Sequence, residues 1–167
     1  MTVTDVRTDP AAKTLAITAT FAASPDQVWE VWANPRLLER WWGPPTYPAT
    51  VVEHDLTPGG RVTYYMTGPE GDQPRGWWRV LAVEPPTSLE FEDGFADAEG
   101  NPDPTLPVMT ARVTIAPDAD GTTTRMTVTS TFATAEDMER ILAMGAQEGM
   151  VAAVEQIDGI MAGQTAS

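Results

Sequence analysis

The chain contains no cysteine and a single histidine, His54. Disulfides and thiolate metal sites are therefore excluded, and one imidazole is too few for a transition-metal ligand set, so neither a metal nor a cofactor is expected. Basic residues are also scarce: 10 against 24 acidic ones, for a net charge of −14. Such a surface repels phosphate backbones and anionic lipid headgroups, which argues against nucleic-acid and membrane-surface roles. No apolar run approaches the roughly 18 residues that cross a bilayer. The opening MTVTDVRTDPAAK has neither the basic nor the apolar stretch of a secretory signal, so a cytoplasmic location is expected. Nucleophile elbow, phosphate loop and dinucleotide fingerprint are all missing. No repeat or linker divides the 167 residues, of which 42 % are apolar, enough for one domain with a substantial core.

What is present is ordered by periodicity. Residues 1–12 are polar and read as a flexible N-terminal arm ahead of a single domain over 13–163. In TLAITATF, Leu15, Ile17, Ala19 and Phe21 alternate with smaller or polar residues, the pattern of a strand with one buried face. Ser24-Pro25-Asp26-Gln27 is a helix start, with Ser24 and Gln27 spaced as a capping box and Pro25 in the first turn. Asn34-Pro35 ends that helix and begins a second, PRLLERWW, stopped by Gly43-Pro44-Pro45. From Tyr47 onward the period becomes two, and turns at TPGG, PEGD, PPT and DADG separate the strands of an antiparallel meander. A long amphipathic helix is expected from about Thr134 to Met161, with Met138, Leu142, Gly149, Ala153 and Ile160 on one side and Met150, Val154, Ile157 and Met161 beside them. The expected fold is α+β, a curved antiparallel sheet of six to seven strands wrapped around that helix, with two short helices after the first strand.

Three features invite a functional reading. Trp41 and Trp42, two of only six tryptophans, fall where a helix must stop and turn; they serve either as corner packing or as part of a binding surface. Gly145 and Gly149 remove side chains from the last helix at about 1 kcal/mol each relative to alanine, either for close helix–sheet contact or to leave floor space for a ligand. The eight methionines suit an adaptable apolar lining as well as ordinary core filling. His54 lies between Glu53 and Asp55, where a base-and-carboxylate group is conceivable but a structural or exposed role is the simpler reading. Glu90 and Glu92, on one strand face, read as a solvated edge.

Taken with the order of elements, the segments FAASPDQVWEVWANPRLLERWWGP, DLTPGG, GWWRVLAVEPPTSLEF and GAQEGM resemble the START-like (SRPBCC) helix-grip superfamily, and within it the heat shock protein 90 ATPase activator-like branch. The resemblance covers residues 13 to 162. It departs from the family in two places: Met150 stands where a tryptophan often follows the late glycine, and no arginine occurs near Ala19. Cavity shape and polarity are thereby expected to differ from those of relatives. The resemblance implies that the two short helices close one end of the sheet, with one ring of the tryptophan pair under the helices and the other near a cavity mouth.

Strand parity turns Val62, Tyr64 and Met66 inward, then Trp78, Leu89 and Phe91, Met109, Ala111 and Val113, and Met126 and Val128. The expected cavity lining is Trp41, Tyr64, Met66, Trp78, Phe91, Met109, Met126, Gly145, Gly149 and Met150. Three function classes follow. The first is binding of a small hydrophobic or amphipathic molecule. The second is an aromatase/cyclase-like enzyme using the same cavity, though no catalytic residue stands out. The third is a co-chaperone-like protein docking on a chaperone ATPase through its acidic surface. A homodimer stays open.

Overall fold

The structure is a computed structural model that describes residues 3–165 of the chain, with side chains to residue 163. Eight strands form one antiparallel sheet: β1 (Val3–Asp9), β2 (Thr14–Phe21), β3 (Ala49–His54), β4 (Arg61–Met66), β5 (Arg75–Glu84), β6 (Ser88–Ala96), β7 (Met109–Pro117) and β8 (Thr124–Phe132). Their spatial order is β1-β2-β8-β7-β6-β5-β4-β3. The meander from β3 to β8 thus runs across the sheet until β8 meets β2. The chain crosses from β2 to the far edge at β3 through two short helices, α1 (Pro25–Ala33) and α2 (Pro35–Leu38).

The strand count exceeds the expected six to seven because of β1, in a segment read from the sequence as an arm. Val3–Asp9 pairs with β2 from Val3↔Ala19 to Asp9↔Thr14. Its side chains are mostly exposed, with only Val3 buried. Backbone pairing to an existing edge holds this strand, and the Val3 amide also donates to Glu155 at 3.0 Å. Such a strand has no apolar alternation to be read. Residues 1 and 2 of the expected arm lie outside the described residues.

The start of α1 follows the sequence pattern: the Gln27 amide donates to Ser24 Oγ and the Ser24 amide to Gln27 Oε1, closing the capping box. Val28, Trp29, Val31 and Trp32 are buried. Asn34 ends α1 and caps α2 by accepting from the Arg36 amide at 2.9 Å.

The single long helix expected over 134–161 is instead three: α3 (Ala135–Ala143), α4 (Ala146–Glu155) and α5 (Ile157–Thr165). The main break is Gly145, whose φ of 85° is left-handed and cannot continue a helix. Gly145 is therefore a hinge between α3 and α4 and not part of a helical floor. Thr134 caps α3 as its sequence position suggests, accepting from the Asp137 amide. Met138 and Ile141 of α3, Ala153 and Val154 of α4, and Ile157, Ile160 and Met161 of α5 are buried, α3 lying against β8, α4 against β1 and β2, and α5 against α1. No helix among the described residues is long and apolar enough to cross a membrane.

RWWGPP becomes the corner that ties helices, sheet and C-terminal segment together. Trp41 is fully buried beneath α1, its indole N–H donating to the Val31 carbonyl at 2.9 Å and its ring edge-on to Trp32. A Cβ on Gly43 would collide with the Tyr47 carbonyl, so the turn admits only glycine there. Gln156, at the joint of α4 and α5, donates from Nε2 to the Gly43 carbonyl at 2.7 Å and the Trp41 carbonyl at 3.3 Å. Gln156→Ala leaves these carbonyls without that donor and is expected to cost about 1–3 kcal/mol, read as a lowered urea midpoint. A midpoint equal to that of wild type would show that the corner holds itself.

Candidate functional site

Two apolar clusters make up the interior. The larger contains Trp29, Trp32, Trp41, Trp42 and Trp78, with Tyr64 and the buried α5 residues; the smaller contains Leu15, Phe132, Met138 and Ile141. Where they meet, a cavity of about 200 Å³ remains between the sheet and α3–α4. Leu15 of β2, Met109 of β7, and Ser130 and Phe132 of β8 border it, as do Ile141 of α3 and Ala146, Gly149 and Met150 of α4. The other side is formed by Tyr64 and Met66 of β4, Asp93, Gly94 and Phe95 of β6, and the corner residues Trp42 and Pro44. A Cβ built on Gly149 meets nothing within 4 Å, so this glycine does leave open space beside the cavity.

Of the residues expected from the sequence, Tyr64, Met66, Met109, Gly149 and Met150 are brought together around the cavity. The other five are elsewhere. Trp41 lies under α1, and its neighbour Trp42 takes the cavity-facing place. Trp78 and Phe91 do point inward, but they stack on each other, ring centres 4.0 Å apart, with Trp42 edge-on to Trp78 at 4.8 Å. Met126 is fully buried, its sulfur 3.3 Å from the indole nitrogen of Trp32. Gly145 is the left-handed hinge described above. His54 Nε2 lies 2.9 Å from the Trp32 carbonyl, and the residue does not border the cavity. Among the described residues no cluster of three or more His, Cys, Asp or Glu side chains could hold a metal ion.

The residue most clearly missed is Asp93. It stands on the inward face of β6 in the alternation Leu89, Phe91, Asp93, Phe95, and pairs across the ladder with Trp78 and Met109. That spacing was visible in SLEFEDGF, where one carboxylate interrupts a row of inward apolar side chains. Asp93 keeps some accessible surface because it borders the cavity, yet it is enclosed by protein. Burial pushes its carboxyl up to about 7, and the Tyr64 hydroxyl, close enough to donate to it, holds the value back from rising further. Tyr64 is itself held well above its ordinary value, first by burial and then by the Asp93 charge. The indole N–H groups of Trp42 and Trp78 are buried without a hydrogen-bond partner, though both lie near enough to the Tyr64 oxygen to favour its ionised form.

The raised carboxyl has a consequence for stability. Asp93 binds its proton more tightly folded than unfolded, so its contribution is fully present below about pH 4 and is lost as pH rises through about 7. Asp93→Asn, which mimics the protonated form, is expected to match wild type at about pH 4 and below. At about pH 8 it should be more stable by roughly 1–3 kcal/mol. Urea midpoints of the two proteins across this range check the sign; a gap that shrinks toward high pH contradicts it.

Asp93 and Tyr64 thus form one polar point on a wall that, apart from Ser130, is apolar and aromatic. The arrangement can enclose a small apolar body, accept one hydrogen bond from it, and exchange a proton near neutral pH.

Comparison with known proteins agrees with this architecture. The family model of the Activator of Hsp90 ATPase homolog 1-like protein matches residues 22–162. The crystal structure of protein Ms6760 from Mycobacterium smegmatis is 50 % identical, covering 95 % of this chain and 96 % of that one, with a TM-score of 0.87. A solution structure of a protein from Arthrobacter aurescens is 48 % identical over 96 % of this chain and 92 % of that one, with a TM-score of 0.92. No curated protein matches the chain. With the eight-stranded sheet gripping the C-terminal helices, this chain belongs to the Activator of Hsp90 ATPase homolog 1-like family, in the START-like helix-grip fold.

Proposed function

We propose that the protein binds a small, largely apolar molecule carrying one polar group in the cavity between the sheet and α3–α4. The observation that carries this reading is the cavity itself, about 200 Å³ of space bordered by Met66, Met109, Met150, Phe95 and Phe132, with Asp93 and Tyr64 on one wall. A close-packed interior leaves few voids larger than a water molecule, so space of this size at the junction of two clusters calls for an occupant. Ligand pockets commonly run from about 300 Å³ upward, which favours an occupant of one or two rings over a long acyl chain. Gly149 supports the reading further, since a helical glycine with open space at its Cβ is not required by packing.

The test is titration with indole, a neutral two-ring probe, followed by tryptophan-independent calorimetry. Saturable one-to-one binding supports the reading. Absence of heat at millimolar probe, with no molecule extractable from freshly purified protein, contradicts it.

A second reading, an aromatase/cyclase-like enzyme, draws support from Asp93, whose carboxyl near 7 suits it to donate and accept protons at neutral pH. In that case the occupant is turned over, and incubation changes its mass; in the binding reading it is recovered unaltered.

A further inference from the structure

The polarity of the cavity wall narrows the class of occupant. Among the residues that border the cavity, Asp93 is the one charged side chain; no lysine, arginine or histidine faces it. The groups packed around it are neutral: the Tyr64 hydroxyl from β4, Trp78 and Met109 across the ladder, and Trp42 from the corner. The residues that α3 and α4 contribute, Ile141, Ala146, Gly149 and Met150, carry no titratable group. A carboxylate enclosed in this way has lost much of its hydration without gaining a counter-ion, and it rejects any anionic group placed beside it. Four aromatic side chains, Trp42, Tyr64, Phe95 and Phe132, border the same cavity, and aromatic faces attract cations. The net charge of −14 adds a field that draws cations and repels acids.

Resting on the ligand-binding reading above, we propose that the occupant is a small amine: its ammonium pairs with the Asp93 carboxylate and its carbon skeleton lies against the aromatic wall. Fatty acids and other carboxylic acids are excluded by the same groups. Alkylammonium ions titrate near 10, like lysine at about 10.4, so both partners are charged only in the window above the Asp93 titration and below that of the amine. Binding an ammonium favours ionised Asp93 and releases the proton the free protein holds. At pH 7, close to that titration, a fraction of a proton leaves per amine bound.

Phenethylamine, 2-phenylethanol and 3-phenylpropionate serve as near-isosteric probes in calorimetric titrations of the whole protein. At about pH 8.5 the amine is expected to bind at least about tenfold more tightly than the alcohol, with the acid weakest. Lowering the pH to about 5.5 should cost the amine about tenfold or more while leaving the alcohol unchanged. Repeating the pH 7 titration in buffers of different ionisation enthalpy should report the released proton. Asp93→Asn should erase the preference for the amine, the proton release and the pH dependence together; Asp93→Glu should retain the proton release, which a packing role for Asp93 does not explain. Alcohol or acid binding as tightly as the amine at about pH 8.5 overturns the amine assignment and leaves the cavity reading standing. Failure of all three probes and of indole to bind overturns both.

Discussion

Gly149→Leu is expected to abolish binding of indole while the protein stays folded. The position borders the cavity and a Cβ there meets nothing within 4 Å, so a leucine side chain enters free space and occupies much of the roughly 200 Å³ available. The probe and the leucine compete for the same volume, and a loss of roughly a hundredfold or more in affinity follows. Gly149 lies within α4 and has no left-handed backbone, so the change also removes a residue that costs a helix about 1 kcal/mol relative to alanine. Stability should therefore hold or rise while binding disappears. A variant that binds indole as wild type does would mean that the probe sits elsewhere, and docking on a protein partner would become the better account of the chain.

Ile157→Ala should have the largest effect on stability among single changes in the C-terminal segment. Ile157 is fully buried at the start of α5 and belongs to the larger apolar cluster with Val154, Ile160 and Met161. Truncation removes transfer free energy and leaves a hole in that cluster, at a cost of about 2–5 kcal/mol. The urea midpoint should fall with an unchanged slope. If the midpoint stays where it is, the C-terminal helices are not gripped by the sheet as described.

Alternation and helix-start chemistry made much of this fold legible in the sequence. Leu15, Ile17, Ala19 and Phe21 are buried in turn along β2, and the Ser24–Gln27 box forms as its spacing implies. Of the two rings in GWWRV, Trp78 is the buried one, as the following Val80 suggests. Two features escaped for physical reasons. β1 has almost no buried face, and backbone pairing leaves no trace in a hydrophobic pattern. Gly145 was read as a helical residue because glycine at helical spacing looks the same whether its φ is right- or left-handed.

The candidate site was half legible. Strand parity brings Tyr64, Met66 and Met109 toward the interior and helical spacing brings Met150, but neither can tell which inward side chains meet other side chains and which meet space. Trp78 and Phe91 fill their space by stacking, and Met126 does so against Trp32. The order of Trp41 and Trp42 depends on how the RWWGPP corner rotates, which the Trp41–Val31 and Gln156–Gly43 hydrogen bonds decide across distant parts of the chain. Asp93 could have been found, because a carboxylate on the inward face of an apolar strand must find a partner or give up its charge.

The most direct measurement of the cavity uses the methionines as reporters. Of the eight in the chain, Met66, Met109 and Met150 border the cavity, whereas Met126 is fully buried beside Trp32 and Met144 is exposed. Isotope-labelled methionine methyl resonances recorded during an indole titration should shift at Met66, Met109 and Met150 and stay in place at Met126 and Met144. Shifts confined to Met144, or no shift at the three cavity methionines at saturating indole, would contradict the proposal that this fold encloses a ligand there.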